Sequence, residues 1–141
     1  MYYELKEIIK TMIKWEEDYC IGVESIDEQH KQLFEMANRI YGLLKNELIT
    51  DKYDKIIDII DELKSYTIYH FKSEEDYMQS IGYKKFFSQK VAHSDFLAKM
   101  ESIDIEQIDN GQNDYLIGIL DFVSEWLVEH IIKEDKLIGA R

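Results

Sequence analysis

Four stretches of this chain carry apolar residues at spacings of three and four, and no proline interrupts any of them. Such spacings place side chains along one face of an α-helix, whereas a half-buried strand would need strict alternation of apolar and polar residues. Proline is absent from the 141 residues and glycine occurs only six times, so helix breakers are few. The sequence therefore predicts an all-α protein built from long amphipathic helices.

These four stretches are predicted to be helices joined by short connections. Four amphipathic helices with short connections pack most simply as an up-down-up-down four-helix bundle. In chain order, the first helix is predicted to begin near Asp27, and the second to run from Thr50 or Asp51 to around Gly82. The third is predicted to span about 86–100, and the fourth follows a polar turn at 109–113.

A single domain over residues 1–141 is expected, because this length suits one domain and is enough to bury a core. In this domain an N-terminal arm (1–26) precedes the bundle at about 27–138. The apolar residues within 2–12 have the spacing of a short amphipathic helix. Trp15 is expected to cover the core from a loop.

The formal net charge is −12, from 29 acidic and 17 basic side chains, and it disfavours binding to nucleic-acid phosphates or anionic membrane surfaces. No apolar run approaches the roughly 20 residues that span a bilayer. Near the start, Glu4 and Glu7 interrupt the apolar stretch that a signal peptide needs. Cys20 is the only cysteine, which rules out an internal disulfide and fits a reducing compartment. We therefore expect a cytoplasmic protein that binds neither nucleic acid nor membrane.

All four histidines of the chain lie on the apolar faces of the predicted helices, one on each: His30, His70, His93 and His130. A single histidine at such a position is usually a hydrogen-bonded core residue. Four together leave several buried acceptor nitrogens that need partners, and a bound metal satisfies them. The placement of the histidines therefore predicts a metal site inside the bundle.

Carboxylates near two of these histidines extend the predicted site. Glu74 follows His70 by four positions, so it lies on the same helix face one turn away. After His130, both Glu134 and Asp135 are candidates. At about 100° per residue Glu134 lies nearer the histidine face, and Asp135 turns inward only if the helix widens or ends there. Imidazole and oxygen donors together suit iron, whereas structural zinc sites usually include thiolates.

These residues occur in five segments that together resemble the hemerythrin family, in particular its single-domain bacterial members, the bacteriohemerythrins. The resemblance runs from about Ile13 nearly to the C-terminus, and the combined pattern is far more specific than any one segment. It implies a four-helix bundle that holds two non-haem iron ions, bridged by an oxo or hydroxo group, and binds dioxygen reversibly at an open iron position. The segments are WEEDYCIG (15–22), IDEQHKQL (26–33), HFKSEEDYM (70–78), HSDF (93–96) and WLVEHIIKED (126–135).

The resemblance also implies roles for individual residues, and it selects Asp135 over Glu134 as a ligand. Apolar walls around the implied oxygen pocket would keep water and stray protons from the bound oxygen. The implied ligands are His30 and His70 on the oxygen-binding iron, His93 and His130 on the other iron, and Glu74 and Asp135 as bridges. The implied oxygen pocket is lined by Leu33, Phe71, Trp126 and Ile131.

One position departs from the family pattern. The third helix of the family normally carries two histidines four residues apart, and here the first of them is replaced by Gln89, four residues before His93. Three outcomes are open: Gln89 ligates iron through its amide oxygen, a water takes the position, or that iron binds poorly and is lost. We favour the water, held by a hydrogen bond to Gln89.

The resemblance favours an oxygen-binding metalloprotein, for storage, delivery or sensing of dioxygen or another small diatomic ligand, rather than an enzyme. The alternative is a diiron oxidoreductase that acts on peroxide or nitric oxide. Gln89 favours this alternative, because an iron short of one imidazole has a second open position and a changed redox potential. A third hypothesis is a bundle with one metal, a different metal or none, acting through partner contacts.

Overall fold

Four long helices dominate the computed structural model, which describes residues 14–139. In chain order its elements are a 3-10 turn (Glu17–Tyr19), α1 (Glu24–Leu44), α2 (Lys52–Ser80), α3 (Phe86–Glu101), α4 (Ile105–Asp109), α5 (Asn113–His130), a π-helical turn (Ile131–Asp135) and α6 (Lys136–Gly139). Helix α1 packs against α2 and α5, and α2 also packs against α3. The predicted all-α, up-down-up-down four-helix bundle is confirmed.

Apolar side chains fill the half of the bundle that lies away from the histidines. There α1 ends, α2 and α5 begin, and the short helix α4 contacts both α2 and α5. Removing such side chains from water stabilises the fold by roughly 25 cal/mol per Å² of apolar surface. This group, which we call the distal core, consists of Leu44, Ile56, Ile60, Ile108, Leu116 and Leu120, all of them buried.

The first helix begins earlier than predicted, at Glu24 rather than near Asp27. The carboxylate of Asp27 does not cap the helix. It accepts the backbone N–H groups of Ile21, at 2.8 Å, and Gly22, at 3.4 Å. The predicted N-cap role of Asp27 is therefore wrong, and its buried side chain instead ties the N-terminal arm to the start of α1.

The predicted end of α2 around Gly82 is confirmed. Helix α2 ends at Ser80, and Gly82 has a φ of 63°, in the left-handed region that favours glycine. The N–H of Gly82 donates to the carbonyl of Gln79 at 3.1 Å, and the N–H of Tyr83 donates to that of Met78 at 2.9 Å. These two hydrogen bonds form a Schellman motif, which turns the chain sharply towards α3.

The connection between α3 and α5 contains a helix, α4, that the apolar periodicity did not predict. Asp104 accepts the N–H of Glu106 at 3.1 Å and so caps α4 at its N-terminus. Ile108 is fully buried, and Gly111, with a φ of 74°, follows the end of the helix. A helix of five residues is too short to show a helical period, so only the polar turn was visible in the sequence.

The described part of the arm, residues 14–23, contacts α1 through aromatic rings. Trp15, Tyr19 and Phe34 meet edge to face, with ring centroids 5.4–5.6 Å apart. Trp15 is half-buried against the core, so its expected role as a cover is confirmed. The predicted helix within 2–12 lies outside the described residues. Within residues 14–139, no helix combines the length and the apolar character needed to cross a membrane.

Candidate metal centre

The four histidines meet in one buried layer of the bundle, as their positions in the sequence predicted. Each comes from a different long helix, and none is more than 8% exposed. The ring centroids of His30 and His70 are 4.6 Å apart, and those of His93 and His130 are 5.3 Å apart. The layer therefore contains two histidine pairs.

Glu74 lies between the two histidine pairs and is completely buried. Its Oε2 lies 3.2 Å from Nε2 of His30 and 2.9 Å from Nε2 of His70. Its other oxygen, Oε1, lies 3.1 Å from Nε2 of His93. One carboxylate thus turns one oxygen towards each pair, which is the arrangement that a ligand shared by two cations requires.

Asp135 divides its oxygens in the same way, with Oδ2 3.2 Å from Nε2 of His30 and Oδ1 3.3 Å from Nε2 of His130. It reaches the layer because α5 is followed by a π-helical turn at Ile131–Asp135, in which hydrogen bonds close over five residues rather than four. Asp135 is buried there, whereas Glu134 is only half-buried. Regular helical spacing, which favoured Glu134, is wrong at this point, and the widened helix that Asp135 required is present.

The inward-facing atoms form two groups that could each hold a metal ion. Neighbouring nitrogen and oxygen atoms lie 2.9–3.3 Å apart. Ligands at right angles around a cation lie about 2.8–3.1 Å apart when their bonds to it are about 2.0–2.2 Å long, so the observed distances are close to this spacing. The first position consists of His30, His70, Glu74 and Asp135, and the second position consists of His93, His130, Glu74 and Asp135. We call these six residues together the histidine layer.

In His70 and His93, Nδ1 is hydrogen-bonded to a residue outside the histidine layer, and Nε2 faces an oxygen of Glu74. Nδ1 of His70 donates to Oε1 of Gln29 at 2.7 Å, and Nδ1 of His93 donates to the Glu75 carboxylate at 2.8 Å. A neutral imidazole has one N–H, so Nε2 of each ring presents a lone pair to an oxygen of Glu74. Either a second proton or a cation must lie between each pair of acceptors. Imidazole and carboxylate donors without thiolates suit iron, so the residues present fit a bound iron ion.

Gln29 and Glu75 were not among the predicted site residues. Gln29 gave a weak signal, since it is a polar residue between Ile26 and Leu33 on the buried face of α1. Glu75 gave none, because it lies one position from Glu74 and is rotated about 100° around the helix. Each residue accepts a hydrogen bond from Nδ1 of a histidine on a different helix. Because the apolar period of one helix carries no information about its contacts with another, the sequence did not reveal these two residues.

The buried charges perturb one another. Burial acts to lower the pKa of His30, but hydrogen bonds and charge from Asp135 and Glu74 outweigh it and raise this pKa to about 9. Burial acts to raise the pKa of Glu74, but the charge of His70 and hydrogen bonds from three histidines hold it well below its ordinary value. Among residues 14–139, the charged partners of Glu74 and Asp135 are histidines alone. Glu74 therefore stays ionised at neutral pH, as a metal ligand must.

Gln89 lies on α3 beside the second position and is 1% exposed. Nε2 of His130 donates to its amide oxygen at 2.7 Å, and its own amide nitrogen donates to Oδ1 of Asp135 at 3.0 Å. One neutral side chain thus contacts two residues of the histidine layer at once.

Apolar side chains lie against the histidine layer at the positions predicted for the oxygen pocket. Phe71 stacks on the ring of His93, with centroids 3.9 Å apart, and Trp126 stacks on the ring of His130, with centroids 4.4 Å apart. The centroid of Phe71 also lies 5.7 Å from that of His70. The two other pocket residues, Leu33 and Ile131, are buried in the core. The role of these four residues in oxygen binding stays a prediction.

The chain is similar to proteins whose family is known. Residues 21–141 match the family model described as the hemerythrin HHE cation binding domain. A bacteriohemerythrin from Clostridium acetobutylicum is 50% identical over 125 residues, which cover 89% of this chain and 97% of that protein. A bacteriohemerythrin from Methylococcus capsulatus is 34% identical over 122 residues, with 86% and 89% covered. The crystal structure of a wild-type hemerythrin matches with a TM-score of 0.76 and 30% identity, over 92% of this chain and 96% of that one.

Proposed function

The chain belongs to the hemerythrin family, and we propose that it binds dioxygen reversibly at a centre of two non-haem iron ions in the histidine layer. The six residues of the layer are the proposed ligands, with Glu74 and Asp135 shared between the first and second positions. The first position, completed by His30 and His70, is the proposed site of oxygen binding.

The observation that carries this proposal is the division of the carboxylate oxygens between the two histidine pairs. A single cation at either position would leave the other histidine pair facing carboxylate oxygens without a cation, inside a buried layer. Burying unpaired charges and lone pairs away from water raises the free energy of the folded protein. Two cations satisfy both pairs and both carboxylates.

Two bound ferrous ions would supply the reversible donation of electrons that oxygen binding needs. The protein must hold these ions without letting water and protons in. Phe71 and Trp126 cover the rings of His93 and His130, and the burial of Leu33 and Ile131 excludes water nearby.

Orientation of the histidines comes from their outer partners. Gln29 accepts the Nδ1 proton of His70 and Glu75 accepts that of His93, so Nε2 of each ring is directed at the proposed iron positions. Such outer hydrogen bonds also raise the basicity of the inner nitrogen, which strengthens metal binding.

Stepwise addition of oxygen to the anaerobically reduced, iron-loaded protein tests this function. We expect a visible absorption band to appear with oxygen and to disappear when oxygen is removed, through repeated cycles. Irreversible oxidation at the first exposure contradicts reversible binding. Steady consumption of peroxide or nitric oxide with an added reductant, in place of that cycle, contradicts it as well.

Two variants on α2 provide the comparison for this experiment. Glu74→Gln keeps the size of the side chain but removes its charge, so the protein should lose iron and with it the oxygen-dependent band. Glu62→Gln makes the same change at an exposed position of the same helix and should leave the band unchanged.

A further inference from the structure

Gln89 is a fully buried amide whose two polar atoms both contact the histidine layer. Its nitrogen donates to Oδ1 of Asp135 at 3.0 Å, and its oxygen accepts from Nε2 of His130 at 2.7 Å. Within residues 14–139, this histidine nitrogen is the one hydrogen-bond donor recorded for the oxygen of Gln89. The side chain therefore has a fixed orientation, with its oxygen beside the nitrogen that would bind the cation of the second position.

Metal binding changes the partner of this amide oxygen. When Nε2 of His130 gives its lone pair to a cation, it carries no proton and cannot donate to Gln89. The amide oxygen would then be a buried acceptor without a donor, which is unfavourable. The cation that removes the donor lies next to the oxygen, because the oxygen and Nε2 are separated by 2.7 Å, close to the spacing of adjacent ligands.

We propose that Gln89 itself, and not the water that we favoured from the sequence, ligates the iron of the second position through its amide oxygen, while its amide nitrogen holds Asp135 in place. This proposal rests on the two-iron function proposed above. The second position then has two imidazoles and three oxygen donors, whereas the first has two imidazoles and two oxygen donors from the protein. The two irons are therefore chemically different, and the second depends on Gln89.

Chelator extraction of iron from wild-type protein, Gln89→Leu and Gln89→Glu tests this role, with iron content and ⁵⁷Fe Mössbauer spectra as readouts. Loss of the ligand in Gln89→Leu should release one iron about tenfold faster or more, and the spectrum of one iron should change. Gln89→Glu keeps an oxygen donor but loses the N–H group that contacts Asp135. It should release iron more slowly than Gln89→Leu, because the oxygen donor to the second position is kept.

The glutamate variant separates ligation from a purely hydrogen-bonding role. If Gln89 acts only by donating to Asp135, Gln89→Glu should release iron as fast as Gln89→Leu or faster, because it replaces a donor by a negative charge. That result overturns the proposal, as does a Gln89→Leu protein with wild-type extraction rates and spectra.

Two controls keep the outcomes separate. Gln32→Leu makes the same substitution at an exposed position of α1 and should extract like the wild type. If the wild-type protein itself binds no pair of irons, the proposed function fails before any variant is compared. Failure of the Gln89 proposal alone leaves a wild-type protein with two irons and variants that give one of the two contrary results described above.

Discussion

The two halves of the bundle bury very different side chains, although the same helices build both. The distal core consists of aliphatic groups such as Ile56 and Leu116, whose transfer out of water is favourable without any ligand. The histidine layer buries four imidazoles and two carboxylates, and burying such groups is unfavourable unless they are paired. The distal core therefore stabilises the fold without any ligand, whereas the proposed cations would stabilise the histidine layer when they bind.

The largest effect is expected when the histidine layer loses its shared carboxylate. Glu74→Leu should lower iron affinity at both positions by more than about 100-fold, because Glu74 faces three of the four histidines. The far-UV circular dichroism should stay helical, since the distal core is intact. Retention of one tightly bound iron would show that the two positions do not share Glu74.

The distal core should respond in the opposite manner. Leu116→Ala should lower the free energy of unfolding by about 2–5 kcal/mol, with or without iron, because it leaves a cavity in an apolar core. Its iron content should be that of the wild type. Urea unfolding measures the change, and Ile119→Ala, at a half-buried position on the same helix, should cost less. A Leu116→Ala protein that loses iron would contradict the separation of the two halves.

A smaller effect is expected from the outer hydrogen bonds of the histidine layer. Glu75→Ala removes the acceptor of the His93 Nδ1 proton and should weaken iron binding at the second position by about 10–100-fold. This corresponds to about 1.4–2.8 kcal/mol. Iron titration followed by Mössbauer spectroscopy distinguishes the two positions. The exposed neighbour Asp76 supplies the control, since Asp76→Ala should change neither position.

The smallest effect is expected at the turn after α2, near the histidine layer. Gly82→Ala should destabilise the protein by about 1 kcal/mol, because alanine disfavours a φ of 63° even though, apart from its chain neighbours, the added methyl group meets no atom within 4 Å. Gly42→Ala, inside α1 and equally free of contacts, should stabilise it by about 0.5–1 kcal/mol. Thermal unfolding with equal shifts for the two variants would contradict this difference.

The distal core and the placement of the histidines could be predicted from the sequence because both follow from the regular helical period. Residues three and four apart share a face, so the apolar stripes and His30, His70, His93 and His130 were found together. The residues that the helical period alone did not place lie where the period breaks or where helices contact each other. Asp135 is inward only because of the π-helical turn, and Glu75 acts through a contact between α2 and α3.

Local backbone and side-chain geometry also decided which helix ends could be predicted from the sequence. The end of α2 was predictable, since a glycine signals a left-handed residue after a helix. The start of α1 was not, because Asp27 has the composition of an N-cap but its carboxylate binds the arm instead. The helix α4 has five residues, which is too few for its apolar positions to repeat.

Iron stoichiometry at saturation tests the central claim, that Glu74 and Asp135 serve two metal positions at once. Metal-free protein is titrated anaerobically with ferrous iron, unbound metal is removed, and iron and protein are quantified in the same sample. The two-position arrangement predicts a plateau at about two irons per chain. A plateau at one iron, or no retained iron, would contradict it.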